Sequence, residues 1–191
     1  FFNKYYKSSY LKSFFIIKYG KKYKKIIKNF DLKILVMTDF QKKYLVENGL
    51  SSKKIFLYEN PLNNLNKTTN LYNKNSDYVV YAGRISDEKG VKELISSWKK
   101  SNIKNLNLKI IGQGESLQKL IESHQNENIE FLGKLENNEA MKVIQNSRAV
   151  VTATKMYEGQ PRLLCEASSM GIPSIFPNFG GMVEFFPDDY E

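Results

Sequence analysis

The 191-residue sequence predicts an α/β protein with a parallel sheet covered by helices on both faces. Two observations carry that prediction. From Tyr78 onward, apolar runs recur, each followed by a turn and then a segment of helical periodicity. The runs are largely unbroken Val and Ile rather than alternating apolar and polar, as in strands buried on both faces. With 41% hydrophobic and 13% aromatic residues, the chain holds enough apolar material for one full core and part of another.

Taken in order, residues 1–30 interleave lysines with Phe14, Phe15, Ile16, Ile17, Tyr19, Tyr23, Ile26 and Ile27 at partly helical spacing. "LKILVMT" is a short strand, and Thr38 or Asp39 can cap the helix "DFQKKYLVENG", which ends at Gly49. "KIFLYENP" reads as a second strand stopped by Asn60 and Pro61. Residues 60–77 contain seven Asn and little periodic apolar content, so a linker is expected at 61–77. It separates a first region, 1–60, from a second, 78–191. In the second region five strands lead into helices: "YVVYA" into "VKELISSWKK", "LNLKIIG" into "QGESLQKLIESH", "IEFLG" into "NNEAMKVIQNS", "AVVTAT" into "PRLLCEASSMG", and "PSIFP" into "GGMVEFF". Ligands of such sheets bind at the carboxyl ends of the strands, where these turns lie.

The net charge of +9 does not mark a nucleic-acid binder. Residues 1–30 hold nine Lys and no acid, and the rest of the chain is balanced. A basic, aromatic helix fits an anionic membrane surface; the alternative is a solvated helix packed on its own domain by the aromatic side. No nucleic-acid motif surrounds these lysines. A single cysteine, Cys165, excludes an internal disulfide framework and fits a reducing compartment. No stretch approaches the roughly 20 apolar residues of a membrane span. Residue 1 is Phe and "FPDDYE" stops soon after an apparent helix begins, so the chain reads as an internal fragment.

Two turns concentrate the chemistry. In "AGRISDEKG", Gly83 follows the strand, Arg84 projects from its end, and Lys89 stands before Gly90 at the next helix start. Two cations near a helix N-terminus can seat a diphosphate. Of only three arginines in this lysine-rich chain, Arg84 and Arg162 sit in these turns, where a forked donor suits phosphate. Both can equally be ordinary surface cations. In "TATKMYEGQPRLLCEA", Glu158 precedes Gly159, whose bare backbone lets N–H groups approach a ligand, and Pro161 suits a first helical turn. Glu166 lies five residues past Pro161, about 7.5 Å along a helix. A carboxylate so embedded needs compensation. A ribose diol supplies it, since one carboxylate accepts two hydroxyls; an i, i+4 ion pair with Arg162 is the alternative. For Glu158 the alternative is a plain acid favoured by the helix dipole.

The "GR…EKG" turn, "IIGQGE", "IEFLG", the glutamate pair in "YEGQPRLLCEASSMGIPSIFPNFGGMVEF", and the earlier "T…IFLYENPL" together resemble the retaining GT-B glycosyltransferases of family four, from about residue 31 to the end. The resemblance implies two Rossmann-like, doubly wound domains: residues 1–60 as the end of the acceptor-side domain, and 78–191 as the donor-binding domain, truncated at its C-terminus. It further implies that Arg84 and Lys89 hold the donor diphosphate and stabilise its charge as the sugar leaves. Glu166 would bind ribose, Glu158 would contact the transferred sugar, and the amides of Gly159 and Gln160 would approach sugar or phosphate. Leu135 falls where the family's backbone meets the base, and Gly180 and Gly181 would open the next helix beside the cleft. Family members usually carry an aromatic residue where Gln160 stands.

The implied mechanism is front-face retention, with no protein nucleophile and electrostatic stabilisation of the leaving group as the main task. No metal is required, because Arg84 and Lys89 replace a divalent ion, and there is no Asp-x-Asp cluster. The expected partners are a nucleotide-sugar donor, with uridine and guanosine both open, a glycan or lipid-linked acceptor, and an anionic membrane surface met by residues 1–30. The expected setting is the cytoplasm, peripheral on the membrane's inner face. This chain alone is expected to bind nucleotide but transfer poorly. The alternatives are a GT-B nucleotide-sugar epimerase, which would carry more acid–base residues in the cleft, and a non-catalytic nucleotide-sugar-binding domain, against which intact Arg84, Lys89 and Glu166 argue. The lone His124 is expected at the surface, away from the strand ends.

Overall fold

The computed structural model describes residues 9–61, 73–124, 128–188 and 190. Most of the expected linker, residues 62–72, lies outside the described residues. The chain divides into two compact units, Phe1–Glu59 and Asn60–Glu191.

The first unit opens with helix α1 (Tyr10–Asn29), capped by Ser9, whose hydroxyl accepts the Lys12 N–H at 3.2 Å. Only Ser13 of this helix is buried. Strand β1 (Ile34–Val36) pairs in parallel with β2 (Ile55–Leu57) across helix α2 (Asp39–Glu47). Thr38, not Asp39, caps α2, its Oγ1 accepting from the Gln41 N–H at 3.1 Å. β2 is shorter than the sequence implies, because its last regular residue is Leu57.

The second unit runs β3 (Tyr78–Ala82), α3 (Val91–Ser101), β4 (Asn107–Ile111), α4 (Leu117–Ser123), β5 (Ile129–Gly133), α5 (Asn137–Gln145), β6 (Val150–Val151), α6 (Arg162–Ser169) and β7 (Ser174–Ile175). All five strands are parallel, in the order β5-β4-β3-β6-β7. Side chains of β3 alternate between faces. Val79 and Tyr81 join Leu94 and Ile95 of α3 and Leu120 of α4 in one core. Val80 enters a second core with Ile144 of α5 and Leu164 and Ala167 of α6. The sheet is therefore doubly wound, and its strand order reverses between β3 and β6, where such folds open a crevice.

Two expected helices differ. Residues 157–161 are not helical; α6 begins at Arg162, with Pro161 as its flanking residue. Pro161 disfavours the helical region for Gln160, so the helix cannot start earlier. "GGMVEFF" forms a 3₁₀ turn over Gly180–Phe185 instead of an α-helix.

The turns leaving β3, β4 and β6 are pressed together backbone to backbone. A Cβ on Gly112 would stand 1.8 Å from the Gly83 carbonyl oxygen, and Gly112 has φ +140°. A Cβ on Gly90 would stand 1.9 Å from the Ala153 carbonyl oxygen, with φ +67°. The Lys155 N–H then donates to the Glu88 carbonyl at 2.9 Å. Gly112→Ala is expected to lower stability by more than ~1 kcal/mol, since both the dihedral and the space oppose it. Urea unfolding measures this, and a midpoint equal to the wild type's would contradict the contact.

Candidate functional site

Where these turns converge, the second unit holds a cavity of about 290 Å³ lined by residues of β3, the turn before α3, the segment after β6 and the start of α6. Its floor is Tyr81, a buried side chain whose hydroxyl donates to the Arg84 carbonyl at 2.9 Å. That bond ties the β3 strand to the turn that follows it. Burial, and after it the negative charge of Glu158, pushes the Tyr81 phenol well above the ordinary tyrosine range.

Lys89 closes a 3₁₀ turn, Asp87–Lys89, one residue before the left-handed Gly90 that opens α3. Its ammonium donates to Oε1 of Glu158, and the two side chains are 25% and 27% exposed, so they meet at the cavity wall in contact with water. Thr154, buried, donates its hydroxyl to the same Oε1 at 3.0 Å. Gln160 turns its side-chain amide to Asn60: the Asn60 N–H donates to Oε1 at 2.6 Å, and Nε2 donates to the Asn60 carbonyl at 3.2 Å.

At the rim, the Arg162 Nε donates to Glu166 Oε1 at 2.7 Å. Arg162 is 70% exposed and Glu166 only 19%, so the cation lies outside and the carboxylate inside. An i, i+4 pair with an exposed partner is worth little, ~0.3–0.5 kcal/mol, so Glu166 is held only lightly. Arg84 is also exposed and reaches Glu88 at 3.2 Å. The Glu88 carboxyl is held below its usual range, first by a backbone N–H, with the Arg84 charge acting in the same direction.

Of the residues singled out from sequence, Gly83, Lys89, Glu158, Gln160 and Arg162 line the cavity. Arg84 and Gly159 flank lining residues without lining the cavity themselves, and Glu166 lies one helical turn beyond the lining residue Arg162. Gly180 opens its 3₁₀ turn against the Tyr157 ring, and Gly181 is buried beside Met182, which reaches the cavity. The Leu135 side chain packs against the core cluster that contains Ile144. His124 ends α4, its Nδ1 2.8 Å from the Leu120 carbonyl. Sequence reasoning missed Tyr81, Thr152 and Thr154. The signal for the last two was present: in "AVVTAT" the run turns polar at every second residue, which places both hydroxyls on one side. Among the described residues, no grouping of three or more His, Cys, Asp or Glu can hold a metal ion.

A doubly wound parallel sheet with this strand order defines a Rossmann-like α/β domain, and solved GT-B glycosyltransferases share it. The chain belongs to the family described as glycosyl transferases group 1, whose model matches residues 64–191. The amylovoran biosynthesis glycosyltransferase AmsD of Erwinia amylovora is 27% identical over 164 residues, covering 82% of this chain and 46% of that protein. The chain thus spans about half the length of this relative. Anabaena HepE in complex with UDP-glucose superposes with a TM-score of 0.69 at 18% identity, over 85% of this chain and 49% of that one. A variant of S. aureus TarM in complex with fondaparinux, α-GlcNAc-glycerol and UDP gives 0.69 at 22% identity, over 88% and 35%.

Replacing Tyr81 with Phe removes one hydrogen bond to the Arg84 carbonyl and is expected to cost about 1 kcal/mol at neutral pH. The sign at high pH follows from the raised phenol. The folded state keeps the proton that the unfolded chain loses near pH ~10. The stability this contributes is therefore complete below that range and is lost as pH rises through it. Tyr81→Phe should flatten the alkaline limb of the stability curve, which denaturant melts across pH would read.

Proposed function

We propose that the protein is a retaining glycosyltransferase that moves a sugar from a nucleoside-diphosphate sugar to a glycan or lipid-linked acceptor, in surface polysaccharide or glycolipid synthesis. The observation that supports this best is the meeting of Lys89, Glu158 and Thr154 at one cavity wall at the sheet's switch point, with Arg162 and Glu166 at its rim. The names of the relatives agree: one serves amylovoran biosynthesis and another was captured with UDP-glucose.

In this reading Lys89 and Arg84 take the diphosphate, exchanging Glu158 and Glu88 for phosphate oxygens. Glu158, released in part from Lys89, accepts a hydroxyl of the transferred sugar. Glu166 exchanges its exposed Arg162 partner for the ribose hydroxyls. As the sugar–phosphate bond breaks, negative charge grows on the leaving phosphate, and the two cations lower the cost of that charge. The acceptor hydroxyl attacks the oxocarbenium-like carbon from the same face and gives its proton to the departing phosphate, which retains the configuration. No metal is required in this scheme. The protein works at the cytoplasmic face of the membrane, with the basic segment 1–30 against anionic lipid. Among the described residues no helix is long and apolar enough to cross a membrane.

Calorimetric titration with UDP and GDP is expected to show binding of one of them. Glu166→Ala should weaken it by roughly 1–3 kcal/mol, the scale of hydrogen bonds to a charged group, and Arg84→Ala should abolish it selectively. A folded wild type that binds neither nucleotide would refute the donor-site assignment. In flotation assays the chain should rise with vesicles containing anionic lipid and detach as salt shortens the screening length. Failure to float at low salt removes the membrane assignment alone.

A further inference from the structure

We infer that Thr154 is a positioning residue that sets the site's recognition of the sugar, as distinct from the nucleotide, by fixing the carboxylate of Glu158. The inference rests on the donor-site reading above. Thr154 lies at the end of the strand run that leaves β6 and is 2% exposed. Its Oγ1 accepts the Met156 N–H at 3.3 Å and donates to Glu158 Oε1 at 3.0 Å. The N–H occupies a lone pair of the hydroxyl, which leaves its proton for the carboxylate. The result is a directed chain from main chain to hydroxyl to Glu158, of the kind in which each bond polarises the next. Because Thr is β-branched, its χ1 is stiff, and burial removes what freedom remains.

Lys89 alone would not do this. An ammonium is a point charge on a flexible stem, and it leaves a carboxylate free to swing about it. Two donors arriving from different turns, Lys89 before α3 and Thr154 after β6, converge on Oε1. Oε2 takes no hydrogen bond from any described residue. One oxygen is therefore spent on the protein, and the other is available to a hydroxyl of a hexosyl group. When Lys89 shares its charge with a diphosphate, Thr154 is the donor that still holds Glu158 in place. The hydroxyl touches no nucleotide atom in this scheme, so its loss should be felt by the sugar and not by the diphosphate.

The test is calorimetry on the 191-residue chain with UDP, GDP, UDP-glucose, UDP-galactose, UDP-N-acetylglucosamine and GDP-mannose. The wild type should bind one nucleotide, and one of its sugar esters more tightly. Thr154→Val, close in shape but without the hydroxyl, should lose that extra affinity, roughly 3- to 10-fold for one net hydrogen bond. Affinity for the bare nucleotide should stay within about 2-fold, since none of its own bonds is removed. Thr154→Ser should recover the difference, which a purely structural role would not require. If Thr154→Val melts below the titration temperature, Thr154→Ala against Thr154→Ser makes the same comparison. Nucleotide binding with no gain from any sugar, or a gain that survives Thr154→Val, or equal loss for nucleotide and sugar ester, overturns the inference and leaves the nucleotide site standing. No binding of any ligand by folded wild type overturns both.

Discussion

Everything at the cavity depends on three main-chain turns lying closer than side chains would permit. The carbonyls of Gly83 and Ala153 occupy the space that a Cβ at 112 or 90 would need. Because the contact is between backbones, its geometry is set by the sheet and not by rotamers, and the side chains that rise from it inherit that rigidity. Lys89 is one residue from one of these contacts and Thr154 one residue from its partner. Their convergence on Glu158 is a consequence of how tightly β3 and β6 are joined, and needs no long-range device.

The charges at this site are arranged in pairs. Lys89 faces Glu158, Arg84 faces Glu88 and Arg162 faces Glu166, and in each pair at least one member is in contact with water. Fully buried pairs of this kind would be costly to separate, whereas partly exposed ones exchange partners at low cost. Each cation is thus already held in place by a carboxylate, in a pair that water reaches from at least one side. The buried Tyr81 hydroxyl beneath them, engaged with the Arg84 carbonyl, supports the turn without taking part in that exchange.

The alternation of strands and helices was legible because it is local: unbroken Val/Ile runs, a Gly where β3, β4 and β5 end, Pro161 before α6, and apolar positions at helical spacing. Lys89, Glu158 and Arg162 were legible for the same reason, each lying in a turn that follows an apolar run. The start of α6 falls one residue past the expected one, because Pro161 flanks the helix instead of entering its first turn. Thr154 was missed because a hydroxyl at a strand end has many bland uses, and only the distance to Oε1 separates this one from them. Leu135 was singled out on resemblance, for its backbone, and the packing of its side chain against the cluster of α5 and α6 is a separate matter that the local sequence does not report.

The Gln160 amide holds residue 60 by its main chain. Pro61 confines Asn60 to extended backbone, in which the N–H and carbonyl of one residue point the same way, as in an antiparallel pair. A single amide, with one donor and one acceptor, matches that edge and stands in for a strand. The tether is blind to the identity of the residue it holds. For this tether alone, position 60 can take any side chain that keeps an extended backbone before proline, while position 160 cannot become Glu, which has no donor, or Asn, which is a methylene shorter. In a lineage of such chains the constraint would therefore show at one end of the contact only, and no correlation between the two columns would betray that they touch.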